Sequence, residues 1–171
     1  MARTNQKLDL GHFPEPDIAD NRGPVVRGLW YLMNAIILQS RLPLPPSGAK
    51  AALLRAFGAR VGPGAVIKPR VTIKYPWFLE LGANVWIGEG VWIDNPGIVT
   101  VGANVCISQD AYLVTGNHDF TRDDFRFFSQ PITVGERSWI CAKAIVPPGS
   151  VIPANTVVPI GSVWRNPTEP S

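Results

Sequence analysis

Small aliphatic residues recur every six positions through most of the chain. Val61, Ile67 and Ile73 open one series, Leu81, Ile87 and Ile93 the next, and Val101, Ile107 and Leu113 a third. After a break the count resumes at Val134, Ile140, Val146, Ile152 and Val158. Glycine often follows the aliphatic residue, as at Gly62, Gly82, Gly88, Gly102 and Gly135. An amphipathic strand alternates at period two and a helix at 3.6, so a period of six belongs to neither. It predicts a solenoid whose coils are three short strands of a triangular prism. Two extra residues per coil, as between Leu79 and Leu81, form a bulge at one corner. Each aliphatic residue then points inward and stacks on its equivalent one coil away: Val61 on Leu81 on Val101, and likewise for the other two series. Residues four positions later (Ala65, Val71, Val85, Val91, Val105, Ala111) fill the corners. One repeat cannot bury its own face, so stacking supplies the core.

Before the repeat the pattern changes. Residues 1 to about 23 carry no period and predict an extended arm, with His12 as a tail histidine. Val25 to Leu38 places Val25, Val26, Leu29, Trp30, Leu32, Met33, Ile36 and Ile37 at three- and four-residue steps, which predicts an amphipathic helix. About fourteen residues span roughly 21 Å, short of a ~30 Å hydrocarbon core, so a transmembrane helix is not expected. The helix either packs on the solenoid flank or a subunit contact, or lies in a membrane surface with Arg27 and Arg41 at its ends. The prolines of Leu42 to Pro46 stop it. Ser47 is expected to N-cap a second helix over Ala49 to Phe57, stopped by Gly58 and covering the open first coil. Three parts follow: an arm with two capping helices (1–60), the β-solenoid (61–163) and a short tail (164–171).

The frame breaks once. It should resume eight residues after Leu113 but waits until Val134, leaving an external loop at about 115–131. Insertions of this length are usually functional or disordered. Its four phenylalanines (Phe120, Phe125, Phe127, Phe128) predict docking on another surface, most simply a second copy. His118 lies in this loop and is the lone histidine of the repeat region.

Composition adjusts this picture little. The 171 residues suffice for one domain with a core, and 16 Gly with 17 Pro suit regular turns. The net charge of +3 is mild, and no Lys/Arg run of the nucleic-acid-binding kind is present. Cys106 and Cys141 are isolated and read as small core residues in a reducing compartment. No signal peptide is visible, and a cytoplasmic protein is expected, with the helix as its one candidate for peripheral contact at the inner membrane face.

The hexads with a looped-out histidine resemble the left-handed parallel β-helix acyltransferases, the hexapeptide-repeat family. Within it they are most similar to the sugar O-acetyltransferases of exopolysaccharide and colanic-acid biosynthesis. The strings that carry the resemblance run Leu81 to Asn95, Val105 to Leu113, Thr115 to Asp119 and Trp139 to Val146. The resemblance implies a left-handed coil, a homotrimer with active sites at subunit seams, and acetyl-CoA as co-substrate with no metal. The expected reaction is direct transfer of acetyl to a hydroxyl of a sugar or lipid-linked glycan.

Such a transfer needs a base for the attacking hydroxyl, donors for the oxyanion and both substrates in reach. His118 is the expected base. A carboxylate commonly fixes a histidine tautomer. Asp94, at a position where related enzymes carry a polar acceptor contact, is one candidate and Asp119 the other. Asn95 and Asn117 are either acceptor contacts or turn-capping amides. Trp139 matches a tryptophan lining the acceptor seam, or is exterior packing. Ala142 and Ile160 align with the coenzyme side, and Arg165 is a candidate phosphate contact. After Val163 the chain reads Trp-Arg-Asn-Pro-Thr-Glu-Pro-Ser, where the family continues into a Gly-Asn-Pro-Ala turn and a basic helix. Coenzyme A binding is therefore expected to be weaker or differently arranged, and a non-catalytic scaffold that has lost it is the rival reading. A zinc hydratase of the same fold needs three histidines from adjacent coils, and the repeat supplies one.

Overall fold

The computed structural model describes residues 22–42 and 45–167, together with Gly11 and Ile18. His12, Pro43 and Leu44 lie outside the described residues. The rest forms a parallel β-solenoid of about five turns with two short helices at its start. Its strands fall into two five-stranded sheets and one four-stranded sheet, the three walls of a prism.

The hexad frame sets the register. Val61, Leu81, Val101, Val134 and Ile152 stack on the first wall. Ile67, Ile87, Ile107, Ile140 and Val158 stack on the second. Ile73, Ile93, Leu113 and Val146 stack on the third. Most are fully buried, as are the corner residues Val71, Val85, Val91, Val105 and Ala111, while Ala65 is half-buried. The corner turns need a left-handed residue three positions after the aliphatic one. Asn84, Asn104 and Asn155 supply it at one corner and Gly90 and Asp110 at the next, all with φ between 56° and 73°. Gly, Asn and Asp tolerate that region best. The glycine after the aliphatic residue has a different cause: a Cβ on Gly62, Gly82 or Gly102 would sit 2.6 Å from the backbone of the next coil.

The first coil's strand edges are closed by side chains from the helices. Helix α1 (Gly23–Met33) runs into a π-helical turn, Asn34–Leu38. It buries Trp30, Asn34 and Leu38 against the prism. Trp30 Nε1 donates to the Ile73 carbonyl (2.9 Å), and Ile73 N donates to Asn34 Oδ1 (3.3 Å). Helix α2 (Ser47–Ala56) covers the other two walls. Lys50 Nζ donates to the carbonyls of Ile67 and Lys68, and Arg55 to those of Val61 and Gly62. Unpaired strand edges are thereby satisfied within the chain. Ser47 is not the N-cap: it is the first helical residue, Pro46 precedes it, and its hydroxyl accepts from Ile67 N (3.0 Å). Tertiary hydrogen bonding to the strand edge outcompetes the local cap. Gly58 does end the helix, at φ 96°.

At the far end, Trp164 N donates to the Ile145 carbonyl, and Asn166 spans Val151 N (2.8 Å) and the Gly149 carbonyl (2.9 Å). Residues 164–166 therefore extend the last coil rather than trail from it.

Candidate active site

The loop expected at 115–131 is a β-hairpin. Gly116–His118 pairs antiparallel with Phe127–Ser129, His118 opposite Phe127. Its root is anchored in the prism. Thr115 is buried, its N donates to the Asp94 carbonyl (3.0 Å), and its Oγ1 accepts from Gly97 N (2.8 Å). Asp94 therefore stands at the base of the hairpin that carries His118.

The His118 ring is held on three sides by its own hairpin. It stacks on Phe125 with centroids 4.4 Å apart and planes 2° from parallel, and Phe127 meets it edge-on at 5.5 Å. Nδ1 lies 2.9 Å from the Phe125 carbonyl oxygen. A carbonyl only accepts, so in the neutral ring Nδ1 carries the proton and Nε2 the lone pair. The tautomer is thus fixed by a backbone carbonyl, where the sequence predicts a carboxylate. Phe125 presents that carbonyl from φ 47°, a left-handed conformation uncommon for a bulky residue. Two of the four loop phenylalanines pack on His118 itself; Phe128 remains exposed.

Neither candidate carboxylate takes Nδ1. Asp119 Oδ1 accepts from Thr121 N (2.9 Å) and Thr121 Oγ1 (2.6 Å), which holds its carboxyl below the usual range. Asp94 Oδ1 lies 3.0 Å from Lys74 Nζ, at an angle unfavourable for a hydrogen bond, so the pair is a charge contact. Its Oδ2 accepts from the Tyr112 hydroxyl (3.4 Å). Burial, then the charge of Asp94, raises the Tyr112 pKa. Asp94 is thus a partly exposed carboxylate with one cation and one hydroxyl beside it.

The two asparagines divide. Asn117 is exposed on the hairpin and its Oδ1 accepts from His118 N (2.8 Å). Asn95 is fully buried, donating to the Tyr75 carbonyl (2.8 Å) and accepting from Tyr75 N (3.0 Å). Its amide clamps the bulge between coils, and this capping role leaves it no face toward a ligand.

The other predicted residues occupy a different part of the prism. Trp139 is half exposed on the second wall, in an outward row with Trp86, Cys106 and Val157, and its Nε1 donates to Ser108 Oγ (2.7 Å). Ala142 and Ile160 stack at the corner between the second and third walls, where Gly161 N donates to the Ala142 carbonyl (3.0 Å). Ile160 is among the most exposed apolar side chains, so the corner offers a small, apolar ledge. Arg165 is exposed beyond it. The row of Trp92 and Tyr112, rings 4.9 Å apart, lines the third wall beside Asp94.

Two open depressions flank the hairpin. One, of about 250 Å³, is lined by Phe78, Pro96, Gly97, Ile98, Ser129 and Pro131. The other, of about 360 Å³, lies over Thr121 to Asp124. Neither is lined by His118. Sequence reasoning set Phe125 among the loop aromatics that dock on another surface and missed its contact with His118; the left-handed backbone behind that contact leaves no mark in residue type.

No family model matches the chain. It is 38% identical over 150 residues to the Escherichia coli K12 protein named "Putative colanic acid biosynthesis acetyltransferase WcaF", covering 88% of this chain and 82% of that one. It is 32% identical over 117 residues to the galactoside O-acetyltransferase of the same organism, covering 67% and 58% of the two chains. Among solved structures it superposes on the Vibrio cholerae hexapeptide-repeat acetyltransferase VCA0836 complexed with acetyl coenzyme A. That match has a TM-score of 0.74 at 20% identity, over 87% of this chain and 81% of the other. It also superposes on a maltose O-acetyltransferase of Clostridium difficile 630, with a TM-score of 0.67 at 21% identity over 82% and 73%.

Proposed function

The chain belongs to the hexapeptide-repeat acetyltransferases, left-handed parallel β-helices, and from that premise we propose that it moves acetyl from acetyl-CoA to a sugar hydroxyl with His118 as general base. The observation that carries the reading is the Nδ1 contact to the Phe125 carbonyl, which leaves the Nε2 lone pair as the acceptor for a proton. In the step proposed, the acceptor hydroxyl gives its proton to Nε2 as its oxygen bonds to the acetyl carbon. The carbon–sulfur bond then breaks, and the imidazolium returns the proton to the departing thiolate. Stacking on Phe125 and the edge contact of Phe127 hold the ring plane, so little orientation is left to be lost at reaction.

Asp94 is assigned to the acceptor: it is partly exposed, already beside Lys74, and can accept from a sugar hydroxyl. Asn117 and Asp119, on the hairpin, and Trp139 are further acceptor contacts in this reading. In this reading Ala142 and Ile160 form the ledge for the pantetheine arm, and the exposed Arg165 meets a phosphate. His118 and this ledge lie on different parts of one prism, which favours a site completed by a second copy. A closed ring of three chains would set each hairpin against a neighbour's outward tryptophan row.

The test is release of free thiol from acetyl-CoA with a panel of sugar acceptors. Acceptor-dependent release is expected. Failure of the protein to bind coenzyme A in titration calorimetry would overturn the reading in favour of a scaffold.

A further inference from the structure

Helix α1 carries an apolar stripe that the prism does not cover. Val25, Leu29, Leu32 and Ile36 recur at four- and three-residue steps and are 81%, 50%, 52% and 59% exposed. Val26, Tyr31 and, just past the π turn, Leu42 are exposed beside them. Between Gly23 and Leu38 the one charged residue is Arg27, half-buried on the other side near Tyr31 and Tyr75. A solvent-facing helix normally puts charge on its open side; this one puts none there. An apolar strip of this kind marks a docking surface.

Charge identifies the occupant. Residues 21–79 hold nine Lys and Arg and no Asp or Glu, whereas residues 80–171 hold nine Asp and Glu against five Lys and Arg. Arg60, Arg70 and Lys74 are balanced by Glu80, Glu89 and Asp94. Arg41, exposed just past the π turn, meets no carboxylate among the described residues; Arg27, Arg55 and Lys68 also lack one but sit away from the stripe, Arg55 on the Val61 and Gly62 carbonyls and Lys68 over the Trp86 ring. A second copy meeting this face by two-fold symmetry would set basic ends together. An anionic lipid surface satisfies both the stripe and the charge. No described helix is long and apolar enough to cross a bilayer, so the helix would lie along it.

We propose that α1 and its π turn form a docking face that lies in the surface of an anionic bilayer. The face leads inward by Tyr31 and Tyr75 to Lys74 and Asp94. On the acetyltransferase reading, the bilayer would present headgroup-linked sugars to the acceptor side of the site.

The experiment is flotation of the full chain with vesicles of phosphatidylcholine alone or with phosphatidylglycerol added, without acetyl-CoA, so that it stands apart from any test of catalysis. Light scattering reports the oligomeric state. Wild type should float with the anionic vesicles, less so in high salt. The triple variant Leu29→Gln, Leu32→Gln, Ile36→Gln should bind at least tenfold more weakly with its oligomeric state unchanged. The single Ile36→Gln variant, at an exposed position, gives a weaker loss in the same direction should the triple variant misfold. Absence of wild-type flotation, flotation unaffected by either variant, or conversion of the variants to a smaller oligomer would each overturn the proposal, the last by giving the face to a second copy.

Discussion

Gly102→Ala tests the coil spacing most sharply. Gly102 follows Val101 on the first wall, and a Cβ there would lie 2.6 Å from Glu136 N and 2.9 Å from Glu136 Cα. Non-bonded heavy atoms rest near 3.5 Å, so the coils must part by roughly 0.9 Å locally. The bond from Gly102 N to the Val134 carbonyl, 2.8 Å long, would then stretch past the useful range of about 3.2 Å. One weakened hydrogen bond costs about 1 kcal/mol and overpacking a further 1–3 kcal/mol, so the loss should be about 3 kcal/mol. For a chain of this size that lowers Tm by roughly 6–12 °C. The control is Gly28→Ala, because Gly28 sits in α1 with nothing within 4 Å of an added Cβ. Helix propensity predicts that it raises stability by up to about 1 kcal/mol. Both are read by thermal denaturation at one protein concentration, since assembly would make Tm concentration-dependent. A Gly102→Ala protein that melts within 1 °C of wild type, or a Gly28→Ala protein that falls equally far, would refute the close-approach argument.

Three further outcomes follow from the site and the cap. Phe125→Leu removes the stack on His118 but keeps the carbonyl, so kcat should fall by about fivefold, the cost of roughly 1 kcal/mol of aromatic orientation, with coenzyme A affinity unchanged. Asp94→Asn should reduce kcat/KM for the sugar while stability, measured in urea, falls by less than about 1 kcal/mol, because the Lys74 pair is partly exposed. Equal losses in stability and in kcat/KM would make Asp94 a structural residue. Lys50 is buried, and burial lowers its pKa from the ordinary 10.5. A lowered folded-state value means that folding works against the charged form below it. The stability of wild type relative to Lys50→Met should therefore rise as pH climbs from that lowered value toward 10.5, and a flat difference would contradict the assignment.

Much of the prism can be read from sequence because stacking repeats one environment. Val61, Leu81, Val101, Val134 and Ile152 occupy equivalent places, so their spacing in sequence is their spacing in space. Helix α1 was legible as an apolar periodicity, although most of that set (Val25, Leu29, Leu32, Ile36) faces outward while Trp30, Asn34 and Leu38 turn toward the prism. What the sequence hid depends on single directions rather than on repeats. Ser47 has the composition of an N-cap, but the nearby edge at Ile67 takes its hydroxyl. Asn95 reads in sequence equally as an acceptor contact or a capping amide, and only its bonds to both backbone groups of Tyr75 decide for the cap. The hairpin at 116–129 lacks an alternating pattern, since its strands are three residues each and one of them reads Gly-Asn-His. The Nδ1 contact of His118 is a main-chain carbonyl whose orientation rests on one left-handed φ at Phe125, and side-chain identity carries no record of it.

The central claim is that His118 removes the proton from the acceptor hydroxyl. His118→Ala, assayed by thiol release beside wild type with coenzyme A affinity measured independently, isolates that step. Loss of a positioned general base should lower kcat by about 10²–10⁴ while leaving coenzyme A binding within twofold. Acceptor-dependent thiol release that persists at the wild-type rate in His118→Ala would contradict the account.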